Sequence, residues 1–375
     1  MFERIDQYIK DGLDRVVFIE LKKDAHIDYK FEILKGIPIP INITELTKPI
    51  KEGKMDYDIS LASMARGMIT LIGLDNDFKY IDVYKEFLNI FDEKILEYIA
   101  YEGVKLAEEK NFHDALIYFK ALITLDEDNL NGLYNYARCC QDIALLAEDK
   151  DKKKEFKREA IEALEIITEK HSDFSLAYYH LGFHYANQSL FKKAQITWEK
   201  CIDLGIDEEK KKEILFRIEE LRDQIQYEEG YTCILNNQLD LGLKKLLPLA
   251  EKYSDWWNLL FFIGLGHRQL GNTKEAIKTF KKILTIKPTQ VDTLNELGLC
   301  YAALNDFQHA EKYFKKALQF KKEDSEILCN LGMVYMEMGK FDESKEVLEK
   351  SIKINPNDEI TMQCIKKLNQ MQEHR

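Results

Sequence analysis

The sequence predicts an all-α solenoid made of repeated helix-turn-helix units, preceded by a small N-terminal cap that contains an extended segment. Three sets of positions near the C-terminus recur at a spacing of 34 residues, namely Gly264, Gly298 and Gly332, then Ala276, Ala310 and Ser344, then Phe280, Phe314 and Leu348. Pro288 and Pro356 are separated by twice that spacing. Each unit contains two amphipathic segments, so it can bury its apolar face only against a neighbouring unit.

Composition agrees with a helical protein. The 375 residues include only 6 prolines and 17 glycines, and 45% are hydrophobic. The net charge of −12 would repel a nucleic-acid backbone, and no basic stripe offsets it, so we expect no nucleic-acid partner. The first residues lack a basic secretory start, and no apolar stretch is long enough to cross a bilayer. We therefore expect a cytoplasmic protein without membrane insertion.

The N-terminal region, residues 1–95, differs from the rest. In the segment 1–57, Ile37, Ile39 and Ile41 alternate with Pro38 and Pro40, which indicates an extended segment. Two prolines cannot donate to a sheet ladder, so we expect an edge strand or a strap laid on the first helices. Residues 58–95 are predicted to form a degenerate helical pair, either a cap or a repeat-like unit.

The repeats are predicted to follow in two blocks. Residues 96–208 contain three units, and the second is interrupted by an insertion near 145–159 whose alternating charges favour a solvated helix extension or a long turn over a partner contact. Residues 209–358 contain a long linking helix and four more units. Residues 359–375 are predicted to form a capping helix with a polar outer face, which an open-ended stack requires.

These units resemble the tetratricopeptide repeats. The unit at 291–324 has the family's pattern at Leu294, Leu297, Gly298, Tyr301, Asn305, Ala310, Phe314 and Ala317. The units at 257–290 and 325–358 match nearly as well, and the unit at 175–208 matches with Gly182, Tyr185, Ala194 and Trp198. The resemblance covers about residues 96–372 and implies a right-handed superhelix.

The resemblance also implies a candidate binding surface. In the family, set positions of each first helix line a concave groove and face a bound peptide. The corresponding residues of the middle units, which we call the inner-face residues, are Tyr134, Arg138, Gln141, Tyr179, Phe183, Asn187, Tyr227, Tyr231, Phe261, Leu265 and Arg268. Aromatic and arginine side chains of this kind are common in interface hot spots, although any one of them could instead pack only against a neighbouring helix.

The sequence offers little for catalysis. It has no phosphate-binding loop, no serine nucleophile motif and no H-E-x-x-H pair, so we expect neither an enzyme nor a cofactor. His180 and His184 lie one helical turn apart but have no evident third ligand, so no metal site is predicted. The seven cysteines are predicted to be small buried hydrophobes, with the adjacent Cys139 and Cys140 as the first candidates for a reactive thiol.

The leading hypothesis is a non-enzymatic scaffold that binds a peptide segment of a partner protein in the concave groove. Members of the family that bind chaperones clamp a C-terminal carboxylate with Lys and Asn, but Ala100, Val104, Tyr134 and Arg138 hold the corresponding positions here. One alternative is a regulatory or enzyme-associated protein whose activity resides in residues 1–95. Another is binding of single-stranded RNA, which the lack of a basic stripe disfavours.

Overall fold

The chain is an all-α solenoid of consecutive helix-turn-helix units. The computed structural model describes residues 2–22, 28–51 and 59–373, apart from the side chains of 48–51 and 373. Residue 58, where the helical pair is predicted to start, lies outside these ranges. So do residues 374–375, the last two of the predicted capping helix. The described residues divide into two compact units, Met1–Leu215 and Phe216–Arg375, and the division falls within one helix.

Short elements make up the N-terminal region: 3-10 helices at Asp6–Tyr8, Lys10–Arg15 and Tyr29–Leu34, strands β1 (Val16–Ile19) and β2 (Ile39–Asn42), and helices α1 (Ile43–Lys51), α2 (Leu61–Leu74) and α3 (Ile81–Phe91). The rest of the first unit contains α4 (Ile95–Glu108), α5 (Phe112–Leu125), α6 (Leu130–Leu146), α7 (Lys150–Lys170), α8 (Ser175–Asn187), α9 (Phe191–Asp203) and the first part of α10 (Glu208–Glu220). The second unit contains the remainder of α10, then α11 (Arg222–Leu235), α12 (Leu239–Lys252), α13 (Trp257–Gln269), α14 (Thr273–Ile286), α15 (Val291–Ala303), α16 (Phe307–Phe320), α17 (Ser325–Glu337), α18 (Phe341–Ile354) and α19 (Glu359–Glu373).

The extended segment in the N-terminal cap is confirmed. β2 pairs with β1 in an antiparallel, two-stranded sheet in which Pro40 lies opposite Phe18. Ile39 and Ile41 are fully buried beneath α2. Helix α2 approaches closely because it has Gly67 at the contact, where a Cβ atom would lie 2.0 Å from the carbonyl oxygen of Pro40.

The helical pair predicted near 58–95 corresponds to α2 and α3. The hydroxyl of Ser60 accepts a hydrogen bond from the backbone N–H of Ser63 and so caps the start of α2. Phe87 is fully buried, as a repeat-like core would require. Ile90, on the same helix, is 38% exposed.

The insertion near 145–159 is mostly exposed and helical, and it also makes a buried contact that its charges do not predict. It lengthens α6 and the N-terminal half of α7, and Phe156 is fully buried against Tyr8, with their ring centroids 5.8 Å apart. Arg4 forms ion pairs with Glu159 of the insertion at 3.5 Å and with Glu162, just beyond it, at 2.8 Å. The first residues of the chain therefore pack on the insertion. This contact joins residues far apart in the sequence, so the local charge pattern does not predict it.

Two further interactions attach the N-terminal segment to helices α5 and α6. Lys120 of α5 is almost completely buried and forms an ion pair with Asp6. The ring of Phe2 packs on Tyr136 at 4.7 Å, and the Tyr136 hydroxyl donates to Glu159 at 2.8 Å. The burial of Glu159 raises the pKa of its carboxyl group.

In several repeats a glycine of the first helix contacts a large buried side chain of the second helix, most often an aromatic ring. A Cβ atom on Gly182 would lie 2.2 Å from the indole nitrogen of Trp198, and one on Gly298 would lie 2.5 Å from the ring of Phe314. Both aromatic side chains are fully buried. The 34-residue spacing of the sequence is therefore the spacing of close helix crossings.

The predicted linking helix is two helices. α10 ends at Glu220 and α11 begins at Arg222, with Leu221 in a turn between them. The N–H of Leu221 donates to the carbonyl of Arg217, and the N–H of Ile225 donates to the carbonyl of Leu221. Helical hydrogen bonding therefore continues on both sides of the turn. At the other end, α19 covers the last repeat, and its Leu368 is buried against α17 and α18.

Candidate peptide-binding site

Six of the inner-face residues belong to α6 and α8 in the first unit. Tyr179 and Phe183 form one aromatic pair along α8, with ring centroids 5.1 Å apart. Phe183 packs edge-on against the buried Trp198 at 4.9 Å, and the Trp198 indole N–H donates to the Tyr179 carbonyl at 3.2 Å. The two rings are half-buried, so one side is supported by the repeat core and the other remains accessible.

Polar contacts connect α6 to α8. The Tyr134 hydroxyl lies 3.1 Å from Nε2 of His180, and the Gln141 amide N–H donates to Nε2 of His184 at 2.7 Å. An amide N–H can donate only to an unprotonated ring nitrogen, so this bond requires a neutral His184. Arg138 is exposed and donates to the Tyr134 hydroxyl at 3.4 Å.

Both histidines are held neutral by their surroundings. Burial, reinforced by the charge of Arg138, lowers the pKa of His180 to about 3. Burial, reinforced by the charge of Lys157, lowers the pKa of His184 to about 4. The two rings therefore provide apolar faces and neutral hydrogen-bonding edges at neutral pH, and they are poor anchors for an anion.

A cavity of about 440 Å³ lies beside this pair of helices. Four inner-face residues line it: Gln141, Tyr179, Phe183 and Asn187. Other lining residues include Ala144, Leu145, Lys157, Ile161, His180, His184, Gln188 and Glu213. The cavity combines an apolar floor with amide and carboxylate groups, as binding sites for peptides and small ligands do.

The remaining inner-face residues lie in the second unit, where more of them take part in packing. Tyr227 and Tyr231 of α11 are 5.2 Å apart, and Tyr231 stacks on Phe262 at 5.1 Å. Phe261 packs on Phe280 at 5.9 Å. Leu265 contacts the core between α12 and α13.

Arg268 is also engaged within the second unit. Its guanidinium forms an ion pair with Glu296 of the next repeat, and both groups are largely buried. Burial raises the pKa of Glu296, although the adjacent Arg268 opposes that shift. Arg268 therefore connects two repeats, whereas Arg138 in the first unit remains exposed.

The sequence did not single out several residues that the structure adds to these surfaces. Leu145, at the start of the insertion, is 72% exposed and borders the cavity. The carboxylate of Glu213 accepts a hydrogen bond from Tyr179 at 2.6 Å. In the second unit, Trp256 lies 4.5 Å from Tyr227. The adjacent leucines 145 and 146 directly before a charged run are the one sequence signal that could have indicated this rim.

Two family models match the C-terminal repeats. One, described as tetratricopeptide repeat, covers residues 258–323, and the other, described as YpiA-like C-terminal tetratricopeptide repeats, covers 295–358. The chain is a tetratricopeptide repeat protein. The matched residues span α13 to α18, and the helix-turn-helix pairs of the first unit have the same glycine-to-aromatic crossings outside them.

Solved structures with similar repeats include MamA, with 21% identity over 38% of this chain and 84% of that chain, and a TM-score of 0.36. The structure of YrrB, a TPR protein with an unusual peptide-binding site, is 15% identical over 66% of this chain and 97% of that chain, with a TM-score of 0.29. The Sgt2 TPR domain from Aspergillus fumigatus is 19% identical over 31% of this chain and 79% of that chain, with a TM-score of 0.30. No curated protein sequence matches the chain.

Within residues 2–22, 28–51 and 59–373, no group of three or more His, Cys, Asp or Glu side chains is arranged to hold a metal ion. Over the same ranges, no helix has both the length and the apolar character needed to span a membrane.

Proposed function

We propose that this tetratricopeptide repeat protein is a non-enzymatic scaffold that binds a segment of a partner protein on the inner face of α6 and α8. The observation that carries the proposal is the cavity of about 440 Å³, because four residues selected by the repeat pattern line it together. A partner side chain that enters the cavity would meet the Phe183 ring on one wall and the Ile161 side chain on another.

The chemistry of this surface favours a neutral or mixed segment with an apolar anchor. Half-buried aromatic rings lose little conformational entropy on binding and bury a large area. Asn187 and Gln188 are exposed amides that can hydrogen-bond to the backbone of an extended segment. The Glu213 carboxylate and the net charge of −12 disfavour a nucleic acid at the same place.

An internal segment fits this surface better than a free C-terminus. Recognition of a terminal carboxylate needs clustered charge-assisted donors, and Ala100 and Val104 supply none. Arg138 is the one cation among the six inner-face residues of α6 and α8, and it already donates to Tyr134. We therefore expect binding to depend on an apolar side chain and to be independent of a free chain end.

The alternative function in residues 1–95 stays a prediction. The described residues of this region pack as part of the first unit, with Phe2 on Tyr136 and Asp6 on Lys120. A pocket of about 220 Å³ lies between Arg15, Thr70 and Tyr118. Deletion of this region would expose the surface of α5 and α7, so point substitutions in the pocket are the better test of a separate activity.

The proposal is tested by selecting peptides from a displayed library on the full chain and measuring their affinities for variants. Leu145→Ala and Phe183→Ala are expected to weaken binding at least about tenfold, since buried hot-spot side chains contribute about 2 kcal/mol or more. Leu145 is exposed, so its replacement should leave thermal unfolding unchanged. This variant separates loss of contact from loss of fold.

Phe320→Ala is the matched control. Phe320 is an exposed phenylalanine at the end of α16, outside the cavity, so its replacement should leave affinity unchanged. Equal affinities for the unsubstituted chain, Leu145→Ala and Phe183→Ala would refute the site. Selection of peptides that require a free C-terminal carboxylate would refute the internal-segment assignment.

A further inference from the structure

The cavity beside α6 and α8 has two opposite charges in its lining. The carboxylate of Glu213 and the ammonium group of Lys157 both line it, and both side chains are exposed. Of the described residues that line the cavity, only these two are ionised at neutral pH, because burial keeps His180 and His184 unprotonated. A charged side chain of a partner would therefore meet one cation and one anion here.

The two charges lie on opposite sides of α8. Glu213 belongs to α10, which follows α8 and α9 in the array, and its Oε2 accepts a hydrogen bond from the Tyr179 hydroxyl at 2.6 Å. Lys157 belongs to α7, which packs on α8 from the preceding repeat. Its charge acts on His184, whose ring accepts a hydrogen bond from Gln141 of α6. The cation is thus on the side of α6 and α7, and the anion is on the side of α10.

The ammonium group of Lys157 is available to a partner. Among the described residues, none forms a hydrogen bond or an ion pair with it. The residues three and four positions before it on α7 are both lysines, and those three and four positions after it are Ala160 and Ile161. Side chains at these spacings are neighbours on a helix. No acidic neighbour on its own helix face therefore neutralises Lys157.

The cations nearest to Glu213 along its own helix already have acidic partners. Lys210, one turn before Glu213, forms an ion pair with Asp207 at 2.7 Å. Arg217, one turn after it, forms an ion pair with Glu220 at 2.8 Å. Because the hydrogen bond that Glu213 accepts comes from an uncharged hydroxyl, its negative charge remains available to a partner.

An arginine fits the surroundings of Glu213 better than a lysine does. The carboxylate lies beside the half-buried ring of Tyr179. A planar guanidinium can stack on an aromatic ring and donate to a carboxylate at the same time, whereas an ammonium group is a compact and strongly hydrated charge. On the other side of α8, either an aspartate or a glutamate can pair with Lys157, because an ammonium group imposes no planar geometry on its acceptor.

We propose that the partner segment carries an apolar side chain flanked by an acidic residue on one side and an arginine on the other. This inference rests on the proposed function, because it assigns the partner of the same cavity. The acidic residue pairs with Lys157, the apolar side chain packs on Phe183, and the arginine pairs with Glu213. The order of the charges therefore sets the direction in which the segment crosses α8, with its acidic residue towards α7 and its arginine towards α10.

The test uses peptides selected on the full chain from a displayed random library, with affinities measured by fluorescence anisotropy. We expect the selected peptides to carry an acidic residue and an arginine on the two sides of an apolar residue. Glu213→Gln keeps an acceptor for the Tyr179 hydroxyl and removes only the charge, so it should weaken binding about two- to fivefold. Glu213→Lys should weaken binding at least about tenfold, because it places like charges together.

Exchange of the charges tests the direction. The double variant Lys157→Glu, Glu213→Lys should bind a selected peptide poorly and should bind the same peptide with its acidic residue and arginine exchanged at least about tenfold better. Lys154→Glu is the matched control, because Lys154 is an exposed lysine of α7 that does not line the cavity. Its affinities for both peptides should equal those of the unsubstituted chain. Both Lys157 and Glu213 are exposed, so thermal unfolding of the variants should be unchanged.

The outcomes separate this inference from the proposed function. Selected peptides that lose affinity with Phe183→Ala but keep it with Glu213→Lys and Lys157→Glu would overturn the charge assignment and leave the site in place. A double variant that prefers the original peptide to the exchanged one would also overturn it. Selected peptides whose affinity is unchanged by Phe183→Ala would refute the proposed function, and this inference would fail with it.

Discussion

Acidification should destabilise the first unit through His180 and His184. The unfolded chain protonates a histidine near its ordinary pKa of about 6.5, whereas the folded chain holds the pKa of His184 at about 4. Between these values the unfolded state binds more protons, so the stability of the fold decreases as the pH falls below about 6.5 and levels off below the folded pKa. Protonation would also abolish the hydrogen bond from Gln141 to His184.

The magnitude follows from the shift. At about pH 5 the histidine is mostly protonated in the unfolded chain, with a pKa near 6.5, and mostly neutral in the folded chain, with a pKa near 4. The pH then lies about 1.5 units below the unfolded pKa, which corresponds to a loss of stability of about 2 kcal/mol. Solvent reaches part of each ring, so on the order of 1–2 kcal/mol per histidine is expected. His184→Gln removes one titrating group, so the difference in the free energy of unfolding between about pH 7.5 and about pH 5 should decrease by that amount.

The assay combines urea unfolding at the two pH values with an NMR titration of the histidine Cε1 protons. The His184→Gln chain is the control, because it identifies the His184 signal by its loss. We expect both cavity histidines to remain neutral down to about pH 5. Titration of His180 and His184 near about pH 6.5, or an unchanged pH dependence in His184→Gln, would show that solvent fills this part of the cavity wall.

Two further predictions concern packing. Gly182→Ala should be destabilising, since forcing a methyl group against the buried Trp198 costs about 1–3 kcal/mol and outweighs a helix-propensity gain of about 1 kcal/mol. Gly332→Ala should destabilise the fold less, because the added methyl group meets the more flexible Leu348 side chain. A larger loss of unfolding free energy for Gly332→Ala than for Gly182→Ala in urea would contradict the crossing geometry. Lys120→Met should cost about 2–4 kcal/mol by leaving Asp6 without its buried partner. Lys94→Met, at a side chain that is 76% exposed, should change stability by less than about 0.5 kcal/mol, and equal costs for the two variants would refute the anchoring role of Lys120.

The repeat architecture could be predicted from the sequence because its determinants are local. Gly298 and Phe314 lie within one helical pair, and their spacing recurs wherever two helices cross closely. The same pattern placed Tyr179 and Phe183 on one face of α8. Repetition therefore predicted the fold and part of the candidate site without any long-range information.

The contacts that the sequence missed join distant parts of the chain. Phe2 packs on Tyr136, and Arg4 lies beside Glu162, more than a hundred residues away. The charges of the insertion suggested a solvated segment because its one buried aromatic residue, Phe156, is outnumbered by lysine and glutamate. The burial of Cys364 in one apolar cluster with Cys329 depends on how α19 docks, which the period of the repeats does not specify.

The inner-face residues also divide in a way that the family pattern does not predict. In the second unit, Arg268 and Phe261 have partners within the repeats. In the first unit, Phe183 and Asn187 border an accessible cavity. The family pattern predicts which positions lie on the inner face. Packing against neighbouring helices then determines which of these side chains remain accessible to a bound peptide.

The central claim is that a partner segment contacts the inner face of α8. It is tested most directly by replacing Phe183 with the photoreactive amino acid p-benzoylphenylalanine in the full chain, irradiating in the native cell, and mapping the cross-linked peptides. We predict a discrete partner peptide at position 183 that is lost when Leu145→Glu is introduced into the same chain. A cross-link of equal yield when Phe320 carries the photoreactive group, or one at position 183 that persists with Leu145→Glu, would contradict the claim.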